Sequence, residues 1–157
     1  MISQKAKYAL RALIVLARLP SGDTIQTQDL AERASVPKRF LEQILLDLKA
    51  RGMVASRRGQ KGGYGLLRPA GKITFGEVLR AIDGPIAPLP CLSLTAYRRC
   101  DECPDEAACE IRHVFGRAYE ETRKILDRVT LEEAIAESDG AARRRQSPSE
   151  ILQGIGI

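Results

Sequence analysis

Tryptophan is absent from the 157 residues, aromatic side chains make up only 4%, and there is a single histidine. A core with so few rings must be aliphatic, which favours a helical protein. One histidine leaves little for acid–base work. No serine–histidine–acid or metal-hydrolase spacing occurs either, so an enzyme is not expected. Long apolar runs are missing too. The longest, Ala12 to Ala17, falls far short of the roughly 20 residues of a membrane span. Met1-Ile2-Ser3-Gln4-Lys5 leads into a helix-like run with no small-residue cleavage site. Neither a signal peptide nor a membrane partner is expected, and the chain reads as cytoplasmic. Cysteine is scarce, with four residues all between positions 91 and 109. That speaks against a secreted disulfide scaffold.

What is present is charge and aliphatic periodicity. Charged residues are 29% and apolar ones 44%, the balance of a globular protein, and the length is that of one domain, or one domain with an extension. The net charge of +5 is unevenly spread. Residues 1–70 hold 13 Lys/Arg against 5 Asp/Glu, whereas residues 71–157 hold 12 against 15. A basic excess confined to one half points to a polyanion partner there, although a solvated basic face has the same composition.

Ala6, Leu10, Leu13, Ile14 and Ala17 recur at helical spacing, predicting a helix over 3–18 that Pro20-Ser21-Gly22 stops. Thr27 can cap a short helix from Gln28 to Ala34. Ser35-Val36-Pro37 breaks it, with Pro37 suited to the first position of the next helix. In that helix Leu41, Ile44, Leu45 and Leu48 form the apolar stripe, and Gly52 ends it. Met53 to Arg57 and Tyr64 to Leu67 then read as two strands around a glycine-rich turn. Thr74 and Glu77 form a capping box for a helix reaching about Ile82. A cysteine-bearing loop follows. From about Ala107 a long helix carries Ile111, Phe115, Ala118, Thr122, Ile125 and Val129 on a period of 3.5. That is the seam of a paired helix, which Val114, Tyr119 and Leu126 widen. Thr130 and Glu133 cap a second, short helix, and the polar remainder reads as a mobile tail.

The expected fold is mainly α with a small β-wing: a winged helix-turn-helix plus a long C-terminal dimerisation helix. Residues 1–84 form the DNA-binding unit, 85–110 the cysteine loop, 107–137 the dimerisation helix and the short helix after it, and 138–157 a flexible tail. The stripe from Leu41 to Leu48 fixes the second helix of the helix-turn-helix on the body, leaving the opposite face free for a major groove. Lys38 and Arg39 can neutralise phosphates, Glu42 can accept from a cytosine amino group, and Gln43 can pair with adenine. Arg57, Arg58 and Lys61 sit on the hairpin, whose glycines allow close approach to a duplex. A nucleotide-cradling loop is the competing reading of the glycine run. It fails because no Gly-Lys-Ser/Thr follows and no helix opens there.

Cys91, Cys100, Cys103 and Cys109 are separated by eight, two and five residues. Thiols clustered in one loop suggest metal, and soft thiolates select zinc or iron–sulfur clusters. Zinc favours two Cys-x-x-Cys knuckles, and only one exists here. The wide, irregular spacing suits an iron–sulfur cluster; it does not separate 2Fe–2S from 4Fe–4S, and 2Fe–2S is the expected type. A zinc site, thiol oxidation and unreactive thiols are the alternatives. His113 lies one turn past Cys109 and is a further candidate ligand. Arg98, Arg99 and Arg112 flank the site and can offset its negative charge.

Several stretches taken together resemble the IscR-like (Rrf-two) family of winged-helix transcription regulators, which includes iron–sulfur, nitric-oxide and iron sensors. They are Lys7-Tyr8-Ala9-Leu10-Arg11-Ala12, Leu30-Ala31-Glu32-Arg33, Phe40-Leu41-Glu42-Gln43-Ile44-Leu45, Arg58-Gly59-Gln60-Lys61-Gly62-Gly63-Tyr64, Phe75-Gly76-Glu77-Val78, Ala81-Ile82-Asp83-Gly84 and Val129-Thr130-Leu131. The resemblance runs from residue 1 to about 137. It implies a homodimer on a double-stranded operator and, in the sensors, a site of three cysteines with one weaker ligand. Cys91, Cys103 and Cys109 match that trio, and Cys100 is extra, either a fourth ligand or a replacement for Cys103. Some members place a histidine three residues after the last cysteine, where this chain has Arg112. Others use an acidic side chain from the partner's first helix, where this chain has Tyr8. Both departures favour ligation by cysteine alone. The resemblance also assigns base reading to Glu42.

Overall fold

The computed structural model describes residues 2–59 and 62–144, with backbone only at 143 and 144. Helix α1 (Gln4–Ala17) is the central rod, packing against α2 (Thr27–Ala34), α3 (Lys38–Ala50), α4 (Phe75–Asp83) and α6 (Leu131–Arg144). It can touch so many neighbours because Ala6, Ala9 and Ala12, all inaccessible, let the other helices close in on its backbone. Ser3 caps it, its hydroxyl accepting from the Ala6 N–H at 3.0 Å. The same serine donates its own N–H and hydroxyl to the Asp83 carboxylate, clasping the start of α1 to the end of α4.

The α2–α3 turn is held by Ser35 in the left-handed region (φ 51°), and the Val36 N–H reaches back to the Ala31 carbonyl at 2.9 Å. The expected stripe of Leu41, Ile44, Leu45 and Leu48 is fully buried. Each such side chain contributes roughly 1.5–3 kcal/mol. The exposed Lys5–Asp47 pair at 2.7 Å, of a class contributing about 0–1 kcal/mol, is secondary in fixing α3.

Strands β1 (Val54–Arg57) and β2 (Gly63–Leu66) form an antiparallel hairpin with Val54 opposite Leu66 and Arg57 opposite Gly63. Its second strand also bonds outward. Tyr64 and Ile25 exchange N–H···O bonds of 2.9 and 3.0 Å, tying the wing to the loop before α2. Gly63 sits at that approach with φ 152°, where any Cβ would run into the Ile25 carbonyl.

Helix α5 (Glu110–Arg128) leaves the body and has no buried residue. Its far end is fastened. Phe75 N–H donates to Val129 O at 3.1 Å, Leu131 N–H to Ile73 O at 3.0 Å, and Arg80 pairs with Asp127 at 2.5 Å. Helix α6 then folds back, burying Leu131 and pairing Asp139 with Arg18 at 2.7 Å.

Four expectations change in detail. Thr27 is the first residue of α2 rather than its cap, and Gln26, at the cap position, makes no side-chain capping bond. Pro37 stands at the cap of α3, one place before the first helical residue. The long helix starts at Glu110 rather than Ala107, because the Cys109 thiol takes the cap and accepts from the Arg112 N–H at 3.4 Å. Helix α6 runs on through Arg144, into the stretch read as tail. Residues 145–157 lie outside the described residues.

Candidate functional site

Two groups of side chains stand out, one on α3 and the wing, the other between α4 and α5. On α3 the buried stripe turns Lys38, Arg39, Glu42 and Gln43 outward, and all four are exposed. Lys38 and Glu42 make no hydrogen bond or ion pair with any described residue. Gln43 donates weakly to Asp47 at 3.3 Å. Arg39 stacks over the Phe40 ring at 4.7 Å, and Phe40 leans on Tyr8 with ring centroids 6.4 Å apart. That ladder holds the Arg39 guanidinium near the start of the helix. Sequence reasoning missed it, although Phe40 and Tyr8 both lay within the quoted motifs. Arg57 and Arg58 are exposed on the wing. Arg57 donates to the Gly22 carbonyl at 3.0 Å, so it also braces the wing's base. Lys61 lies outside the described residues.

The second group is the cysteine loop. Cys91 is buried in a short 3-10 turn over Pro90–Leu92, Cys100 is exposed, and Cys103 and Cys109 are half-buried, all as free thiols. The loop is bent onto itself by several bonds. Arg98 N–H donates to Pro90 O at 3.2 Å, and Cys103 N–H donates to Cys100 O at 3.2 Å. Arg99 donates to the carbonyls of Cys103 and Pro104, each at 2.9 Å. Tyr97 donates its hydroxyl to Glu106 at 2.6 Å. Partial desolvation, then the charge and hydrogen bond of Cys91, and then the charges of Cys103 and Cys109, push the Cys100 thiol above its ordinary pKa. No three His, Cys, Asp or Glu side chains among the described residues are closed to coordinating geometry.

The donor set suits a thiolate-bound iron–sulfur cluster. A second observation agrees: the Arg112 Nε is buried without a hydrogen-bond partner among the described residues, within one turn of Cys109, and is a donor suited to an anionic acceptor. His113 is engaged differently. Its Nε2 lies 2.7 Å from the Ala107 carbonyl, which closes the loop against α5.

The seam residues Ile111, Phe115, Ala118, Thr122 and Ile125 lie exposed along α5, with Ile111 61% and Ile125 56% accessible. Val129 is separate from them. It closes the helix as a half-buried cap bonded to α4. Leu126 turns to the core, and Tyr119 is half-buried. No described helix is long and apolar enough to cross a membrane.

Residues 2–137 match the model of the Rrf2 family, described as "Iron-dependent Transcriptional regulator". A protein of Rhodobacter capsulatus named "Putative HTH-type transcriptional regulator rrf2-like" is 50% identical over 146 residues, covering 91% of this chain and 97% of the relative. The HTH-type transcriptional regulator CymR of Bacillus subtilis is 31% identical over 139 residues, 88% of this chain and 92% of that one. The solved structure of CymR, described as the global cysteine regulator of B. subtilis, superimposes with a TM-score of 0.73 over 87% of this chain and 97% of that chain. T. potens IscR superimposes with a TM-score of 0.70 over 90% of each chain, and at 23% identity that likeness shows the fold alone.

Proposed function

Because the chain belongs to the Rrf2 family of transcriptional regulators, we propose that it is a homodimeric repressor whose grip on its operator is set by an iron–sulfur cluster, 2Fe–2S in preference to 4Fe–4S, held by Cys91, Cys100, Cys103 and Cys109. The chain is a DNA-binding regulator and not an enzyme, as its family and relatives are. Lys38, Arg39, Arg58 and Lys61 neutralise phosphates, with Arg57 at the wing's base. Glu42 and Gln43 read base edges in the major groove. Ile111, Phe115, Ala118, Thr122 and Ile125 meet their counterparts on a second copy, setting two recognition helices on a palindromic site.

The observation that carries the sensing reading is the gathering of four thiols in the one loop that joins α4 to α5. When bound, such a cluster supplies an iron centre that cross-links the loop and responds to iron supply, redox state or nitric oxide. The chain's own residues then do the transmission. Leu92 rests on Gly116 of α5 at 3.5 Å, measured from a Cβ placed there. Ordering residues 91–109 thus bears directly on the arm that spaces the two heads. The test is operator binding by anaerobically reconstituted and cluster-free protein over a salt series. The affinities should differ, and both should fall steeply with salt. Equal affinities would remove the sensor and leave the repressor.

The exposure of Cys100 as a free thiol, together with the likeness to CymR, favours a second reading, a cluster-free regulator that responds through its thiols. A visible spectrum after oxygen-free purification separates the two. A brown protein carries a cluster, and a colourless one does not.

A further inference from the structure

We propose that Leu46 of α3 is a specificity-determining residue, packing its side chain on the 5-methyl group of a thymine in the major groove. This rests on α3 being the helix that enters the groove, as proposed above. Leu41, Leu45 and Leu48 of the same helix are inaccessible, whereas Leu46 is 54% accessible. Its place on the helix explains the difference. At roughly 3.6 residues per turn, Arg39, Gln43, Leu46 and Ala50 fall within about 60° of one another, on the side opposite Leu41 and Leu48. All four are exposed. Leu46 therefore stands in one row with Arg39 and Gln43, in the middle of the face turned away from the body.

The polar side chains beside it are held elsewhere. On one flank Lys49 donates its ammonium to the Ser56 hydroxyl of β1 at 2.7 Å. On the other, Asp47 pairs with Lys5 of α1 at 2.7 Å and accepts weakly from Gln43 at 3.3 Å. Leu46 and Ala50 thus leave an apolar strip on a face whose other members, Lys38, Arg39, Glu42 and Gln43, are charged or carry an amide. A branched alkyl group has no hydrogen bond to offer a phosphate or a base edge. Thymine alone presents an apolar group in the major groove, its 5-methyl. Packing leucine on it removes water from both surfaces. Three residues advance a helix by about 4.5 Å, against about 3.4 Å for a base step. The thymine therefore lies within about two base pairs of the pair that Gln43 reads.

The test removes one methyl group at a time. Full-length protein, reconstituted and cluster-free in parallel, selects duplexes from a random-sequence pool. Each thymine of the selected site is then replaced singly by deoxyuridine, which lacks the 5-methyl and is otherwise the same base. One thymine in each half-site should lose about fourfold in affinity on replacement, the worth of one buried methyl group. Leu46→Ala should bind the thymine and deoxyuridine duplexes alike. It should keep the parent's salt slope and thermal midpoint, because this side chain neither meets phosphate nor packs in the core. A site with no methyl-sensitive thymine, as expected if a protein partner covers Leu46 instead, overturns the proposal. So does a methyl effect that persists undiminished in Leu46→Ala. Both results leave base reading by α3 in place. A pool from which no sequence is enriched sinks that reading and the proposal with it.

Discussion

Gly76 has no room for a methyl group. A Cβ there would strike the Asp127 carboxylate and lie 3.1 Å from both the Leu126 carbonyl and the Arg80 guanidinium. Alanine gains up to about 1 kcal/mol over glycine in helix propensity, but forcing apart a fastened junction costs roughly 1–3 kcal/mol. Gly76→Ala should therefore lower stability, read as a lower urea midpoint at unchanged slope. On α3, Gln43→Ala should cost about 1–3 kcal/mol on the operator and relax preference at one base pair. Lys38→Ala should instead weaken all duplexes alike and reduce the salt slope by about 1. Affinities measured on matched and mismatched duplexes over a salt series separate the two roles. At this scale legibility followed period. Leu41, Ile44, Leu45 and Leu48 announced themselves by spacing, and their burial turned Lys38, Glu42 and Gln43 outward. Gly76 and His113 did not, because one depends on a helix fifty residues away and the other on a carbonyl in an irregular loop.

The capping box at the start of α6 is an element whose strength varies with pH. Thr130 donates its N–H to Glu133 at 2.9 Å and accepts the Glu133 N–H at 3.2 Å. The backbone bond first, then that of the hydroxyl, holds the Glu133 carboxyl below its ordinary value of 4.5. A carboxylate lowered by folding contributes in full above its unfolded value and loses that contribution as the pH falls through the folded one. Glu133→Gln should thus be less stable than the parent at neutral pH, with the gap closing below pH 4.5 in thermal melts taken along a pH series. The box was readable from Thr130-x-x-Glu133, but the length of α6 was not. Its polar second half is helical because it lies on α1, where Asp139 meets Arg18. Cys109 as a helix cap was equally hidden, since a thiol is not among the usual capping groups.

Across the whole molecule, α5 stands out as a helix with nothing buried and a row of apolar side chains, Phe115 46% and Val114 66% accessible. An exposed apolar row of that length marks an interaction surface, which the proposed dimer would cover. Phe115→Glu should convert a dimer into monomers by sedimentation and cut affinity for a palindromic duplex far more than for a half-site. The 3.5-residue period had shown the row. Its end was harder to read, because Val129 continues the spacing yet leaves the helix to bond with Phe75. That joint has a mechanical consequence. Gly76 pressed on Asp127, Arg80 gripping the same carboxylate, and the Thr74–Thr130 bridge beside them fasten the arm at its root. Helix α4 in turn is packed on α1 and α3. In the dimer proposed above, a tilt begun at the cysteines would therefore carry arm and head together as one spanner, altering the span between two jaws while leaving the shape of each jaw alone.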